Sequence, residues 1–273
     1  MYINRILRCP VCGNELYREE KSYFCTGERR HCFDISSTGH ANLCPGKSTG
    51  GDDRRAVRSR TDFLNLGHYK PISDKICEIV GELSQDASIV DAGCGEGYYS
   101  NAMAEKCGGT VYGFDLSKEA IISASKRAKR EGRTNAVFFV GGIYDLPIID
   151  GGADVITNIF APCAEEEFIR VLKDGGRLVV VAAGKNHLYG LKKAVYDTVH
   201  TNEERADLPK RLTLEEKHSL SYVIDLEDAQ SIRNLFSMTP YSYRTSERDM
   251  QKLLALEKLS TEIEVEIYVY RKG

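Results

Sequence analysis

The chain has 273 residues, which is long enough for one large hydrophobic core and a small additional module. Hydrophobic residues make up 42% and charged residues 28%, and the formal net charge of -3 excludes a strongly basic protein. No apolar run approaches the about 20 residues that span a bilayer. Residues 1–8 contain no apolar core of signal-peptide length, so we expect a cytoplasmic protein without membrane contact.

The distribution of charge along the chain is uneven. Residues 1–60 contain 11 Lys and Arg against 7 Asp and Glu, a balance of +4. The rest of the chain contains 26 against 33, a balance of -7. Basic side chains that gather in one part of a protein are typical of contact with a polyanion. The N-terminal part is therefore the expected site of nucleic-acid contact.

Five of the nine cysteines precede residue 45, and two of them form a knuckle, Cys9-Pro10-Val11-Cys12-Gly13. Cys25 follows after twelve residues and His31 after five more. This spacing is typical of a structural zinc site, which four side chains close as a tetrahedron. We therefore predict one Zn²⁺ ion in a module of residues 1–45, bound by Cys9, Cys12, Cys25 and His31.

The fourth zinc ligand stays open at this stage. Cys32 is adjacent to His31 and could also reach the metal, and Cys44 is a more distant candidate. The alternative to a metal site is a set of reduced cysteines with a purely structural role, since a chain of this kind is not expected to form disulfides.

Residues 46–66 are predicted to form a linker and a helix. The linker is rich in glycine, and Asp52 is a suitable N-cap for the helix. Three apolar side chains are spaced to face inward, namely Ala56, Phe63 and Leu64. The helix also carries a cluster of arginines that is either a solvated face or a phosphate contact: Arg54, Arg55, Arg58 and Arg60.

The most informative segment is a short apolar strand that runs into a glycine-rich turn, Ile89-Val90-Asp91-Ala92-Gly93-Cys94-Gly95-Glu96-Gly97. A helix is predicted at 98–106, and a second strand, 110–114, ends at Asp115. Glycines at alternate positions let the backbone turn sharply and approach a ligand closely. An acidic residue after the second strand of a doubly wound sheet accepts hydrogen bonds from ribose hydroxyls. The pattern predicts a nucleotide-like ligand over the turn, with Asp115 on its ribose.

The remaining sequence continues to alternate between helices and strands. Helices are predicted at 118–130, capped by Ser117, and at 164–172, and strands at 136–140, 153–159 and 177–182. This alternation predicts an α/β fold with a mostly parallel sheet and crossover helices. Residues 262–270 alternate between apolar and polar and predict a final edge strand.

Together these segments resemble one protein family. Besides the cysteine module they are Leu66-Gly67-His68-Tyr69-Lys70-Pro71, Asp91-Ala92-Gly93-Cys94-Gly95-Glu96-Gly97-Tyr98-Tyr99, Gly113-Phe114-Asp115-Leu116-Ser117-Lys118, Ile159-Phe160-Ala161-Pro162-Cys163, Lys185-Asn186-His187-Leu188 and Met238-Thr239-Pro240-Tyr241. In order and spacing they are similar to the bacterial 23S ribosomal RNA (guanine-N1-)-methyltransferases, which are class I S-adenosylmethionine-dependent enzymes. The likeness runs along nearly the whole chain.

The resemblance implies a Rossmann-like methyltransferase domain over residues 67–273, with S-adenosylmethionine and Zn²⁺ as cofactors. It implies methylation of N1 of a guanine in a hairpin loop of 23S ribosomal RNA near the peptide exit tunnel. It also places cofactor contacts on Tyr69, Asp91, Gly93, Gly95, Glu96, Gly97, Asp115 and His187. Many class I enzymes place an acidic residue shortly before a Leu-Pro pair to meet the adenine. Here the pair is Leu146-Pro147, and the acid, Asp145, is displaced from the usual position. Backbone groups near Ile143 are therefore expected to bind the adenine instead.

The target base is expected beside residues 158–163, because ligands bind beyond the carboxyl ends of sheet strands. Phe160 is expected to stack on the guanine, and Asn158 to hydrogen-bond one of its edges. The alternative is that Phe160 packs in the core and Pro162 only shapes a turn. A hairpin loop suits this chemistry because its bases are easily splayed out.

Two other functions remain open from the sequence. One is a small-molecule methyltransferase whose zinc module is only structural. The other is a non-catalytic S-adenosylmethionine-binding protein that associates with the ribosome. The sequence also leaves open whether the protein is a monomer or a homodimer in which two zinc modules hold one hairpin.

Overall fold

The computed structural model describes residues 6–44, 46, 50–81, 87–203 and 205–273. Its elements in chain order are β1 (Leu16–Glu19), β2 (Ser22–Cys25), β3 (Cys32–Asp34), β4 (Ala41–Asn42), α1 (Arg54–Leu64), α2 (Lys70–Gly81), β5 (Ser88–Ala92), α3 (Tyr98–Lys106), β6 (Thr110–Asp115), α4 (Lys118–Glu131), β7 (Ala136–Val140), β8 (Ala153–Ile159), α5 (Glu165–Val171), β9 (Leu172–Ala183), α6 (Tyr189–Val195), β10 (Thr213–Leu226), α7 (Ala229–Ser237), α8 (Glu247–Leu254) and β11 (Leu259–Arg271).

The large sheet confirms the predicted α/β fold. Eight strands lie in the order β10-β11-β9-β8-β5-β6-β7-β4. The six neighbouring strands β9-β8-β5-β6-β7-β4 are parallel to one another. β11 pairs with β9, and β10 with β11, in antiparallel orientation on one side of this parallel part. After the short edge strand β4, the chain enters the centre of the large sheet with β5 and builds outward to β6 and β7 on one side and then to β8 and β9 on the other. The reversal brings the carboxyl ends of β5, β6 and β8 to a common edge, where ligands of such sheets bind.

The strand at the C-terminus is not the edge strand that its alternating pattern predicted. β11 pairs with both β9 and β10, and the edge position belongs to β10. The apolar side chains of β11, such as Ile263 and Val265, are fully buried, as the alternation indicated. β10 was not predicted, because its first five residues are all exposed and mostly polar. Only its second half alternates, with Leu220, Tyr222, Ile224 and Leu226 less exposed than the residues between them.

The N-terminal module contains its own antiparallel sheet, in the order β1-β2-β3. Its fourth strand, β4, leaves the module and pairs in parallel with β7 at the edge of the large sheet. Leu7, Leu16 and Tyr23 of the module share a buried cluster with Phe114 and Phe139 of the large sheet. The module therefore packs on the large sheet and uses part of its core.

The helix after the linker is shorter than predicted. α1 begins at Arg54, and its N-cap is Asp53, whose carboxylate accepts a hydrogen bond from the amide of Ala56 over 2.8 Å. Val57 is buried with Phe63 and Leu64, whereas Ala56 is only half-buried. Asp52, the predicted cap, instead forms an ion pair with Arg60.

Within the described ranges, no helix combines the length and apolar character needed to cross a bilayer.

Candidate metal and cofactor sites

Four ligand atoms of the N-terminal module converge beside β2. The Sγ atoms of Cys9, Cys12 and Cys25 and a ring nitrogen of His31 all lie within 4.8 Å of one another. His31 Nδ1 is 3.5 Å from Cys9 Sγ and 3.4 Å from Cys25 Sγ. Three thiols and one imidazole at these separations fit a closed tetrahedral zinc site, which leaves no position for a catalytic water.

Polar groups around this cluster favour the thiolate form that binds metal. The side-chain amide of Asn14 donates to Cys12 Sγ over 3.4 Å, and hydrogen bonds from the side chain and the backbone of Asn14 are the main causes that lower the pKa of Cys12 to about 6. The backbone amide of His31 donates to Cys25 Sγ over 3.1 Å. Burial raises the pKa of Cys9, so a bound cation is the natural means of keeping that sulfur charged.

The geometry selects His31 among the candidates for the fourth ligand. Cys32 is exposed on β3, and its Sγ lies 3.9 Å from a carboxylate oxygen of Asp34, outside the cluster. Cys44 is a free thiol that likewise does not join the four converging side chains.

The zinc cluster is tied directly to the segment that follows β7. The amide of Arg8, the residue before Cys9, donates to the carbonyl of Pro147 over 2.9 Å. The Arg8 guanidinium contacts Asp145 at 2.7 Å and the carbonyl of Leu146 at 3.3 Å. Asp145, the displaced acid near the expected adenine position, is thus engaged with the zinc module.

The glycine turn between β5 and α3 has a left-handed backbone at each glycine. The φ angle is +83° at Gly93, +54° at Gly95 and +77° at Gly97. A β-carbon on Gly93 or Gly97 would lie 2.7 Å or 2.6 Å from a neighbouring alanine side chain, so packing also requires these glycines. A β-carbon on Gly95 would meet only Arg60 among the described residues, at 3.6 Å. Gly95 therefore marks the side of the turn that a ligand can approach.

Asp115 stands at the end of β6, next to Gly95. Its Oδ2 accepts a hydrogen bond from the Gly95 amide over 3.0 Å, and its Oδ1 accepts one from the Ser117 amide over 2.7 Å. Burial raises the pKa of Asp115, and the two amides oppose this effect. A carboxylate held at this position can still accept hydrogen bonds from ribose hydroxyls through its remaining lone pairs.

Asp91 lies beneath the turn and is almost fully buried. Its Oδ2 accepts from the Ser100 hydroxyl and its Oδ1 from the Thr157 hydroxyl over 2.9 Å. Burial raises the pKa of Asp91 to about 6. These two bonds tie β5 to α3 and β8, so Asp91 stabilises the shape of the turn.

Glu96 is 1% exposed and has only one of its two oxygens paired. Oε2 contacts Arg127 Nη2 at 3.0 Å, and the same Arg127 atom donates to Asn65 over 3.0 Å. Glu96 Oε1 has no hydrogen-bond partner within the described protein. A buried acceptor left open beside a glycine cradle fits a site that a polar ligand completes.

Tyr69 and His187 meet close to this turn. The Tyr69 hydroxyl is 3.3 Å from His187 Nε2, while His187 Nδ1 accepts from the Glu264 amide over 3.2 Å. The Glu264 amide can only donate, so the neutral ring carries its proton on Nε2 and donates it to Tyr69. Burial lowers the pKa of His187 to about 4 and keeps the ring neutral.

Phe160 lies on this aromatic pair and faces outward. Its ring stacks on His187 with centroids 5.9 Å apart and is 6.3 Å from the Tyr69 ring. The side chain is 42% exposed, and its backbone is left-handed with φ +53°. An exposed aromatic ring held by a strained backbone is a feature of binding sites and does not fit a core residue.

Asn158 is placed differently from Phe160. It is fully buried, and its Nδ2 donates to the carbonyls of Ala92 and Pro162 over 3.3 Å and 3.0 Å. Its Oδ1 accepts from Arg205 Nη2 over 3.1 Å. All these contacts are internal, so the geometry favours a role for Asn158 in shaping the loop over contact with a guanine edge.

Four polar partners of the site were not predicted as such, namely Arg60, Arg127, Arg205 and Glu264, although Arg60 belongs to the arginine cluster noted in the sequence. The site group that each of them approaches, respectively Gly95, Glu96, Asn158 and His187, is at least 31 positions away in the chain, so no local motif contains both partners. The one available signal was Arg127, a charged residue on the face of α4 that also carries buried Ala120 and Ala124.

Two family models match the chain. A zinc-ribbon model described as "RlmA, N-terminal" matches residues 7–49, and a model described as "Methyltransferase domain" matches residues 83–236.

Similar proteins extend over most of the chain. YxjB of Bacillus subtilis (strain 168), whose name places it with the 23S rRNA (guanine-N(1)-)-methyltransferases, is 31% identical over an alignment of 287 positions, gaps included, which covers 98% of this chain and 97% of the relative. The 23S rRNA (guanine(748)-N(1))-methyltransferase of Streptomyces fradiae is 31% identical over 201 residues, 70% of this chain and 68% of the relative.

Two crystal structures support the fold alone. A methyltransferase of Bacillus halodurans C-125 has a TM-score of 0.50 at 18% identity and covers 73% of this chain and 98% of its own. The YcgJ protein of Bacillus subtilis has a TM-score of 0.51 at 20% identity and covers 73% and 97%.

Proposed function

Because the chain belongs to the family of 23S rRNA (guanine-N(1)-)-methyltransferases, we propose that it methylates N1 of a guanine in a hairpin loop of 23S ribosomal RNA. Its zinc ribbon precedes its methyltransferase domain, and the Bacillus subtilis relative matches the chain over 97% of its own length. S-adenosylmethionine, when bound, supplies a methyl group already activated on a sulfonium, and positioning is then the main task of the protein.

The observation that carries this proposal is the exposed Phe160 beside the glycine turn. Its ring is held on Tyr69 and His187, and the next residue, Ala161, packs against Gly93. An exposed aromatic ring next to a residue that packs against the glycine turn suits stacking of a base that has left its helix. Phe160 would stack on the guanine, and Asn158 would hold the loop that presents it.

The cofactor residues have separate tasks in this proposal. Asp115 binds the ribose hydroxyls of S-adenosylmethionine, and the turn from Gly93 to Gly97 lies against the rest of the cofactor. Glu96 Oε1 accepts from a donor group of the ligand. Tyr69 and His187 fix each other and separate the cofactor cradle from the target pocket. The neutral His187 has both nitrogens engaged, so it acts by positioning Tyr69.

The domain organisation follows from these tasks. Residues 1–45 form the zinc-binding RNA-recognition module, 46–66 the linker and helix, and 67–273 the methyltransferase domain. The module presents exposed arginines, including Arg29 and Arg30, to an RNA backbone. With ribosomal RNA as its substrate, the protein acts in the cytoplasm. A homodimer in which two modules hold one hairpin is compatible with this scheme.

Methyl transfer to RNA fragments provides the test. The protein is incubated with S-adenosylmethionine and unmodified 23S ribosomal RNA, and the RNA is then read by primer extension. N1 belongs to the Watson–Crick edge, so methylation there stops reverse transcription at one position. We expect one such stop, absent with Phe160→Ala. Methyl transfer that ignores RNA would favour a small-molecule enzyme, and cofactor binding without transfer would favour a non-catalytic protein.

A further inference from the structure

Arg60 of α1 lies over the open side of the glycine turn. Its Nη1 is 3.6 Å from the position that a β-carbon on Gly95 would take. The positive charge of Arg60 also lowers the pKa of Glu96 and of Asp115, against the opposite effect of burial. The guanidinium is therefore within electrostatic reach of the carboxylates on both sides of Gly95.

Arg60 forms an ion pair with Asp52. The two side chains are 27% and 24% exposed. The backbone around Asp52 is anchored independently, because its carbonyl accepts a hydrogen bond from the Ser117 hydroxyl over 2.6 Å. Gly51 also packs against Ser117, where a β-carbon would lie 2.7 Å from the Ser117 amide nitrogen. The ion pair thus joins the middle of α1 to the residue before its N-cap, and the Ser117 hydrogen bond holds that residue against the β6–α4 turn, directly beside Asp115.

An ion pair that water still reaches contributes little to stability, so Arg60 can exchange its partner at low cost. Arg127, the other arginine close to the turn, cannot do so. Its side chain is 10% exposed and already binds Glu96 and Asn65. Of these two arginines, Arg60 is therefore the one that can bind a ligand at the open side of the glycine turn.

The charges of S-adenosylmethionine explain why such a cation is needed. The cofactor has a sulfonium, an α-ammonium and one carboxylate. The carboxylates of Glu96 and Asp115 beside the turn repel the anionic group, and the unpaired oxygen of Glu96 suits a cationic one. A guanidinium presents paired donors that match a carboxylate in a bidentate geometry.

We propose that Arg60 binds the carboxylate of the cofactor's methionine moiety and releases Asp52 when it does so. This inference rests on the proposed function, because it assumes S-adenosylmethionine as the ligand. It makes α1, which leads out of the linker from the zinc module, a wall of the cofactor site.

A matched pair of ligands tests the assignment. Calorimetry measures the binding of S-adenosylmethionine and of its decarboxylated analogue, which differ only in the carboxylate, without RNA. Arg60→Gln should weaken binding of S-adenosylmethionine by at least about tenfold, the usual effect of losing a hydrogen bond to a charged group. Binding of the decarboxylated analogue should change by less than about twofold. Arg58→Gln, on the exposed face of the same helix, should leave both affinities unchanged.

Asp52→Asn separates ligand binding from a structural ion pair. Removal of the competing carboxylate should leave S-adenosylmethionine binding unchanged or tighter. If Arg60→Gln and Asp52→Asn weaken both ligands equally, the pair is structural and the inference is overturned. The affinity of Arg60→Lys for S-adenosylmethionine should lie between those of the wild type and Arg60→Gln, because the charge is kept and the bidentate geometry is lost. Melting temperatures of all variants show whether any of them is misfolded. Normal binding by Arg60→Gln overturns the inference alone, whereas wild-type protein that binds neither ligand overturns the proposed function too.

Discussion

The amide of Gly95 donates a hydrogen bond to Oδ2 of Asp115 over 3.0 Å, which couples the glycine turn to the end of the neighbouring strand. The other oxygen of Asp115 accepts from the amide of Ser117, at the start of α4. One carboxylate thus fixes the side of the turn that a ligand approaches and the helix that follows β6. The predicted ribose contact lies on a side chain that is already held in place.

Asp115→Ala should weaken binding of S-adenosylmethionine by about 1.5–3 kcal/mol, the scale of losing charge-assisted hydrogen bonds. The loss combines the ribose contact with the release of the Gly95 amide. Asp115→Asn keeps one acceptor oxygen and should lose less. Calorimetry on the three proteins gives the comparison, and equal affinities would exclude Asp115 as a ribose ligand.

One zinc ion per chain should copurify with protein prepared without chelator. Cys9→Ser and His31→Ala should lose the metal and lower the melting temperature, because the free energy of binding structural zinc is also free energy of folding. Elemental analysis measures the metal content. Cys32→Ser is the matched control, since Cys32 adjoins His31 but lies outside the cluster. Full zinc content in His31→Ala together with loss in Cys32→Ser would reverse the ligand assignment.

His187 should make the protein less stable in acid. Burial lowers its pKa from 6.5 to about 4, with Lys192 adding to the effect and Glu264 opposing it. Between these two pH values the imidazole of His187 is protonated in the unfolded chain and neutral in the folded one. The free energy of unfolding is therefore at its full value above about pH 6.5 and decreases as the pH falls towards 4. This difference corresponds to about 3 kcal/mol.

Urea unfolding at several pH values measures this effect. His187→Gln should reduce the loss of unfolding free energy between pH 6.5 and 4 by up to about 3 kcal/mol. His200→Gln, at an exposed position, should leave the pH dependence as in the wild type. A His187→Gln profile that parallels the wild type would show that His187 does not titrate in this window.

Local sequence carried most of what could be predicted of this protein. The turn at Gly93–Gly97, α3 and β6 follow one another within a short segment, so backbone requirements and strand–helix periodicity were sufficient. The ligand spacing of Cys9, Cys12, Cys25 and His31 is local as well. The edge position of β10 depends instead on pairing with β11, a tertiary contact that the local pattern of either strand does not contain.

The same reason explains the polar contacts that were missed. Glu96 meets Arg127, and Arg60 approaches Gly95, only because α4 and α1 pack around the same turn. The cap of α1 was misplaced by one residue because Asp52 and Asp53 are adjacent acceptors. In the structure Asp53 accepts from the Ala56 amide, whereas Asp52 pairs with Arg60 and is held by Ser117, a contact that depends on the tertiary structure.

The N-terminal part of the chain should supply much of the affinity for RNA. Its balance is +4 and that of the remaining chain is -7, so the larger domain alone offers an RNA backbone little attraction. Each phosphate neutralised by Lys or Arg releases counterions and makes binding weaker as salt rises. The relevant side chains are exposed: Arg29, Arg30, Arg54 and Arg55. Arg30 also pairs with Glu19 and lies over Phe24, so it is held in place on the surface of the module.

Replacement of these four arginines by Gln should weaken binding of a ribosomal hairpin and lower the salt slope by about 0.7 for each phosphate that the variant no longer neutralises. The affinity for S-adenosylmethionine should be unchanged. The matched control has the same change in net charge at exposed positions elsewhere, with Gln at Lys126, Lys129, Arg130 and Lys258. Fluorescence anisotropy at several salt concentrations measures all three slopes. A control variant that flattens the slope as much would show that total charge, and not the N-terminal surface, attracts the RNA.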